Sequence, residues 1–238
     1  MTYKEIYDLA MPKAKREQEK TNIWVYLAVR PLSILATMPF IGTSVKPTTI
    51  TKWSVLFSVI GFALYSFDAS MTMKIIGWSF FFLWAVLDGV DGNLARCTNK
   101  CSAFGELWDA TGGYAAMVLM YLAAGMAAFF DNNLWNYCDN YWLLIMGGAT
   151  ALFSIFPRLI MHKRKNIGIE DKKTENISNK SKFGLKQIIA LNFVSASGFL
   201  QVILLVATIT HTLNIFIGVY CVINLVIMLL GLRSLLKE

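Results

Sequence analysis

Long apolar stretches, separated by short polar segments, follow one another along most of this chain. A helix needs about 20 mostly apolar residues to cross the hydrocarbon core of a bilayer. Six stretches are long enough, and they lie at residues 48–67, 71–95, 104–130, 141–161, 188–210 and 213–236. The pattern therefore predicts an all-α membrane protein with six transmembrane helices.

Residues 1–47 differ from the rest and are predicted to form a juxtamembrane arm before a transmembrane domain at residues 48–238. The apolar run 23–29 is too short to span a bilayer, and Pro31 interrupts helix continuity unless it lies in a first turn. Trp24 has an amphipathic ring that favours the headgroup level. We expect an amphipathic helix here that lies on the membrane surface.

Composition agrees with a membrane protein. Hydrophobic residues make up 56% of the chain and charged residues 16%, whereas a soluble domain carries about 25% charged residues. These values exclude an ordinary cytosolic enzyme and a disordered protein. The four cysteines are too few and too scattered for a disulfide scaffold.

The positions of the basic residues predict the orientation. Every Lys and Arg except Lys74 falls in a segment that six spans would place on one face of the membrane. Because basic loops stay on the cytoplasmic side, both termini are predicted to be cytoplasmic. This topology also explains most of the net charge of +7, and we expect no nucleic-acid partner.

Carboxylates at membrane depth form the candidate chemical site. Each costs roughly 2.5–3.5 kcal/mol on insertion scales and so requires a partner or a function. Asp88 and Asp91 share one helix face, and a short hairpin brings Asp109 beside them. Three carboxylates without matching cations are suitable ligands for Mg²⁺ or Mn²⁺. We therefore predict a metal site at Asp88, Asp91 and Asp109.

Small residues and an arginine surround these carboxylates. Gly89, Gly92, Ala95 and Gly105 would let a bulky ligand approach the backbone, or would let membrane helices pack closely. Arg96 would bind phosphate oxygens, or would anchor the helix at the basic face of the membrane. The residues themselves leave both pairs of interpretations open.

The spacing resembles the signature D-x2-D-G-x2-A-R-x8-G-x3-D-x3-D of the CDP-alcohol phosphotransferase family, also called CDP-alcohol phosphatidyltransferases. Seven of its eight fixed positions are present, namely Asp88, Asp91, Gly92, Ala95, Arg96, Gly105 and Asp109. Residues 47–51 are also similar to the Pro-Asn-x-x-Thr pattern before the family's first span, with Thr48 in the place of Asn. The family has a surface N-terminal helix and six spans with cytoplasmic termini.

The resemblance implies transfer of a substituted phosphate group from a CDP-alcohol to an acceptor hydroxyl with release of CMP, in phospholipid or related glycolipid biosynthesis. It assigns the metal ion, Mg²⁺ or Mn²⁺, to the three aspartates, and the active site to the cytoplasmic face. The nucleotide and its phosphates would lie against Gly92, Ala95, Arg96 and Gly105. Asn93 would contact the cytidine or pack between helices. The family also leads us to expect a homodimer.

One signature position differs, because the last aspartate is replaced by Gly113. In the family that carboxylate takes the proton of the acceptor hydroxyl and contacts a second metal ion. Three explanations remain open: Glu106 or another group substitutes, the proton leaves by another route, or the chain binds a CDP-alcohol without turnover. A transporter that uses intramembrane aspartates is a further alternative.

Two other charged residues have both a functional and a structural interpretation. Arg158, at the predicted cytoplasmic end of the fourth span, would bind a second phosphate-bearing substrate or anchor the helix at the interface. Glu106 would neighbour the metal site as a candidate catalytic residue. It would equally suit a helix N-terminus, where an acid is favourable without any further role.

The identity of the donor stays open. In one branch of the family the donor is CDP-diacylglycerol and the acceptor is a small alcohol such as glycerol phosphate, serine or inositol. The other joins CDP-choline or CDP-ethanolamine to a lipid alcohol, and Arg30-Pro31 before the first span slightly favours it. A lipid-linked saccharide is another possible acceptor.

Overall fold

A computed structural model describes residues 1–67, 69–168 and 184–236, and residues 169–183 of the basic loop lie outside them. The N-terminal arm contains helices α1 (Tyr3–Ala10), α2 (Lys13–Lys20) and α3 (Arg30–Thr37). A π-helical turn (Val25–Val29) precedes α3, and a short 3₁₀ turn (Met38–Phe40) follows it.

In the described part of the chain, seven further helices form the membrane bundle. They are α4 (Pro47–Ser66), α5 (Met71–Cys97), α6 (Ala103–Phe130), α7 (Asn140–Asn166), α8 (Leu185–Val194), α9 (Phe199–Ile209) and α10 (Leu213–Leu235). Five of them are long and apolar enough to cross a membrane, and α8 with α9 would make a sixth span as a bent pair. The described residues contain no β-strand. The prediction of an all-helical, multi-pass membrane protein is confirmed, with five to six candidate spans.

The continuous span predicted at residues 188–210 is broken. Helices α8 and α9 meet at an angle of 52° around residues 195–198. At this break a Cβ atom on Gly198 would lie 2.8 Å from the Asn192 carbonyl oxygen, so only glycine fits. The Asn192 side chain also bonds the arm, donating to the Thr21 carbonyl at 2.6 Å and accepting from the Ile23 amide at 2.8 Å. Hydropathy alone does not detect such a break, because the flanking residues stay apolar.

The arm packs onto the bundle. Ile6, Ala10, Met11 and Ile34 form a fully buried cluster that joins α1 to α3. Pro31 does not interrupt the helical run from Val25 to Phe40, because it lies in the first turn of α3 and the preceding turn is π-helical. A proline has no amide to donate, and this position directly follows the π-helical turn, in which the Arg30 amide donates to the Val25 carbonyl.

Glycine contacts bring neighbouring helices together. A Cβ atom on Gly147 of α7 would lie 2.9 Å from the Gly125 Cα of α6. Helices α4 and α5 meet in the same way, since a Cβ atom on Gly77 would lie 3.0 Å from the Gly61 carbonyl oxygen. Small residues allow this close approach of membrane helices.

The end of the bundle opposite the signature carries a buried ion cluster. The Lys74 ammonium lies 3.1 Å from the Asp131 Oδ1, and the His211 Nδ1 lies 3.0 Å from the same oxygen. The side chains of Lys74 and Asp131 are 5% and 6% exposed. This pairing accounts for the one basic residue that the predicted topology places away from the others.

Replacing Gly147 with alanine is expected to destabilise the bundle by about 1–3 kcal/mol, because the added methyl group overpacks a contact between two backbones. The matched control is Gly148→Ala, since a Cβ atom on Gly148 meets only the Leu122 side chain, at 4.0 Å. Thermal unfolding of the purified protein in detergent measures both. Equal midpoints for the two variants would contradict close packing at Gly147.

Candidate active site

A cavity of about 1320 Å³ lies where α5 ends and α6 begins, and the arm and the break between α8 and α9 complete its wall. Its acidic side chains are Glu19, Asp88, Asp91, Glu106 and Asp109. Its basic side chains are Lys15, Arg30, Lys46, Arg96 and Lys100. A space of this size, lined by charges of both signs, has room for a nucleotide.

The three predicted metal-binding aspartates line this one cavity. Asp91 is buried and accepts a short hydrogen bond from the Thr51 hydroxyl, whereas Asp109 is exposed in the cavity wall. Within the described ranges, no three His, Cys, Asp or Glu side chains are grouped closely enough to form a metal site by themselves. The metal site therefore stays a prediction, and the oxygen donors around the cavity fit the chemistry of a hard divalent ion.

The small residues of the signature divide into two roles. Gly89 packs against α3, because a Cβ atom there would lie 2.7 Å from the Ser33 Cβ. Gly92 leaves space for the Arg96 guanidinium, which would lie 3.2 Å from a Cβ atom at that position. All four small residues, Gly89, Gly92, Ala95 and Gly105, line the cavity. Gly89 serves close helix packing, whereas approach of a ligand to the backbone at the other positions stays a prediction.

Asn93 is fully buried and joins two arginines instead of lining the cavity. Its Oδ1 accepts from the Arg30 Nη1 at 2.9 Å and from the Arg96 Nη2 at 3.2 Å. Its Nδ2 donates to the hydroxyls of Ser33 and Thr37, both at 3.3 Å. A contact between Asn93 and the cytidine is therefore not supported by its position.

Arg30 forms the principal ion pair of the site with Glu19 of α2. Its Nε donates to the Glu19 Oε2 at 2.6 Å, and its Nη2 donates to the Oε1. The two side chains are only 10% and 13% exposed. This pair fixes α2 of the arm against α3 at the rim of the cavity.

Lys15, also on α2, is a partly buried cation in the cavity wall. Burial, and next the positive charges of Arg96 and Arg30, lower the pKa of its ammonium to about 8, although Glu19 and Asp109 partly oppose the shift. Loss of water around the ammonium is therefore the main cost of placing Lys15 here, and the nearby cations add to it.

Several cavity residues were not predicted as site residues from the sequence. Lys15, Glu19 and Arg30 were assigned to the surface arm, and Ser197 to a continuous span, although all four line the cavity. Arg30 directly follows the apolar run 23–29, and a charge in that place is the sequence signal that could have indicated a site residue. Thr51 belongs to the segment 47–51 that is similar to the family's pattern before its first span. Nothing in the sequence, however, indicated that its hydroxyl donates to Asp91.

The remaining predicted site residues lie in different places. Glu106 lines the cavity from the first turn of α6. Arg158 lies on α7, near Tyr114 and Tyr121, and is not among the residues that line the cavity. Its predicted contact with a second phosphate-bearing substrate stays a prediction. Gly113 lies one turn beyond Asp109, and a Cβ atom at Gly113 would meet no atom within 4 Å.

The fold and the site together define a helical membrane protein with a phosphotransferase signature around a charged cavity. The family model for CDP-alcohol phosphatidyltransferase matches residues 44–232. The chain therefore belongs to the CDP-alcohol phosphatidyltransferase family, as its signature predicted.

Cholinephosphotransferase 1 of Danio rerio is 36% identical to this chain over 92 residues. The match covers 36% of this chain and 24% of that relative, so it spans about a quarter of the relative's length.

Replacing Glu19 with glutamine is expected to lower the stability of the folded protein by about 3 kcal/mol, because it leaves the Arg30 charge buried without a counter-ion. Glu17→Gln is the matched control: it makes the same change on the same helix, in an exposed pair with Lys20. Because water screens the charges of that exposed pair, Glu17→Gln should leave the stability nearly unchanged.

Thermal unfolding of the purified protein in detergent compares these two variants. The double variant Glu19→Gln/Arg30→Gln should recover part of the loss, since it removes the unpaired charge as well. A loss in Glu17→Gln as large as that in Glu19→Gln would show that the buried pair has no special role.

Proposed function

We propose that this protein transfers a substituted phosphate group from a CDP-alcohol to an acceptor hydroxyl and releases CMP, in phospholipid or related glycolipid biosynthesis. The observation that carries the proposal is that the signature residues Asp88, Asp91, Arg96 and Asp109 line one cavity. Family membership gives this arrangement its chemical meaning.

Asp88, Asp91 and Asp109 would hold Mg²⁺ or Mn²⁺, which neutralises the charge on a diphosphate and on the departing CMP. The Thr51 hydroxyl orients the Asp91 carboxylate by donating to it. Asn93 positions Arg96, whose guanidinium binds a phosphate oxygen. Gly92 leaves the space in which that guanidinium lies.

The reaction replaces one P–O bond with another. The acceptor oxygen bonds to the phosphorus next to the transferred alcohol, the bond from that phosphorus to CMP breaks, and the acceptor hydroxyl releases a proton. Gly113 has no carboxylate to take this proton. Glu106 in the cavity wall, water, or a phosphate oxygen remain as its routes.

A cholinephosphotransferase among the relatives supports the branch with CDP-choline or CDP-ethanolamine as donor and a lipid alcohol as acceptor. Transfer from CDP-diacylglycerol to a small alcohol is the alternative. We further propose that the cavity faces the cytoplasm, as the basic segments indicate, and that the protein forms a homodimer.

A second candidate function is binding of a CDP-alcohol without turnover. Gly113 is the observation that favours it, since it removes the family's proton acceptor. General-base catalysis typically contributes about 10²–10⁴-fold, so its loss slows a transfer without abolishing it. We therefore retain the transferase as the principal proposal.

The wild-type protein in nanodiscs is expected to release CMP from CDP-choline or CDP-ethanolamine when diacylglycerol and Mg²⁺ or Mn²⁺ are present. Asp91→Asn should lower the rate at least about 100-fold, because it removes a negative charge from the proposed metal site. Asp139→Asn makes the same change in a loop at the opposite end of the bundle and should retain the rate. Equal rates in the wild type and Asp91→Asn would contradict the proposed site.

Gly113→Asp restores the missing signature residue in a place where the added Cβ atom meets no neighbour. If another proton route operates in the wild type, CMP release should rise by less than about tenfold, well short of the full effect of a general base. Chromatographic quantification of CMP measures this ratio. An inactive wild type made active by Gly113→Asp would instead support the binding function.

A further inference from the structure

The wall of the cavity brings together cations from separate elements, among them Lys15 of α2 and Arg96 of the signature helix α5. The positive charge of Arg96 helps to lower the pKa of Lys15, in agreement with their lining one space. Bringing like charges together is unfavourable unless an anion lies between them. The binding partners of each cation therefore indicate what the cavity receives.

Arg96 is held by neutral acceptors. Its Nε donates to the Ala10 carbonyl at 2.7 Å and its Nη2 donates to the Asn93 Oδ1 at 3.2 Å. No carboxylate of the described residues lies within ion-pair distance of Arg96. Its orientation is fixed, but its charge is not neutralised by a direct partner.

Among the described residues, the one ion pair of Lys15 is long. Its Nζ lies 4.0 Å from the Glu19 Oε1, and that carboxylate is already engaged by both nitrogens of the Arg30 fork. The Lys15 ammonium therefore retains donors for a ligand. Arg30 differs from both, since its charge is compensated by Glu19.

We propose that Lys15 is a phosphate-binding residue, which contacts the phosphate oxygens of the CDP-alcohol together with Arg96. This inference rests on the proposed function and assigns the arm a direct part in donor binding. The Glu19–Arg30 pair keeps α2 in place, and Lys15 of this helix lines the same cavity as Asp88, Asp91 and Asp109. The same phosphate chemistry is present in anionic lipid headgroups, and the experiment separates the two sources.

Binding of CDP and of cytidine to the full chain tests this role, in nanodiscs of neutral phosphatidylcholine with Mg²⁺ and no acceptor. Lys15→Met should weaken CDP binding about 10-fold to 100-fold, the usual range for a hydrogen bond to a charged group. Cytidine has no phosphate. The affinity of Lys15→Met for cytidine, measured by competition with CDP, should therefore equal that of the wild type. Lys15→Arg should keep CDP affinity within about threefold, because the charge is retained.

Lys20→Met is the matched control, because it removes the same charge from the same helix at an exposed position paired with Glu17. It should bind CDP as the wild type does. A general disturbance of α2 would instead weaken cytidine and CDP alike, and would overturn the proposal.

The pH dependence supplies an independent readout. The ammonium of Lys15, which faces Glu19, Arg30, Arg96 and Asp109, is charged below its pKa of about 8 and neutral above it. Wild-type affinity for CDP should therefore fall as the pH rises through about 8, and this step should be absent in Lys15→Arg.

Three further outcomes would also overturn the inference. Unchanged CDP affinity in Lys15→Met, with normal CMP release, would remove Lys15 from the site and leave the proposed function intact. A wild type that binds no cytidine nucleotide would defeat the proposed function as well. In a parallel experiment without nucleotide, phosphatidic acid is added and the thermal stability of each variant is measured. If phosphatidic acid stabilises the wild type but not Lys15→Met, while the CDP affinity of Lys15→Met is unchanged, Lys15 binds a lipid headgroup instead of the donor.

Discussion

The Arg30 guanidinium, held by Glu19 on one side and by Asn93 on the other, connects the arm to the helix that carries the signature. The carboxylate neutralises its charge, and the amide oxygen of Asn93 extends the network to Arg96. A buried arginine is tolerated only when its donors are satisfied. The position of α2, and with it one wall of the cavity, therefore depends on this interaction.

The bundle provides the complementary constraint. Glycine contacts hold α6 against α7 and α4 against α5 at backbone distance, whereas α5 and α6 enclose a polar cavity near their connection. Carboxylates are costly in hydrocarbon, so the cavity is also what makes Asp88 and Asp109 tolerable at this depth. The same bundle thus combines closely packed helices in one part with an open polar site in another.

The sequence predicted those features that depend on local spacing. The long apolar stretches gave α4 to α7 and α10, and the signature placed Asp88, Asp91 and Asp109 around one cavity. The contacts of Lys15 and Arg30 with the site depend on how a distant arm packs, and no local pattern encodes that. The sequence did not predict the break between α8 and α9 for a related reason. Mean hydropathy does not register the hydrogen bonds that Asn192 makes with the arm.

The ion cluster of Lys74, Asp131 and His211 has a consequence for assembly of the bundle. Lys74 lies near the start of α5 and Asp131 directly follows the end of α6, so both charges lie at the end of this hairpin away from its connecting loop. When α5 and α6 pack together, the ammonium and the carboxylate enter the apolar environment of the bundle as a neutral pair instead of as two separate charges. Neither helix then bears the full cost of an isolated charge leaving water.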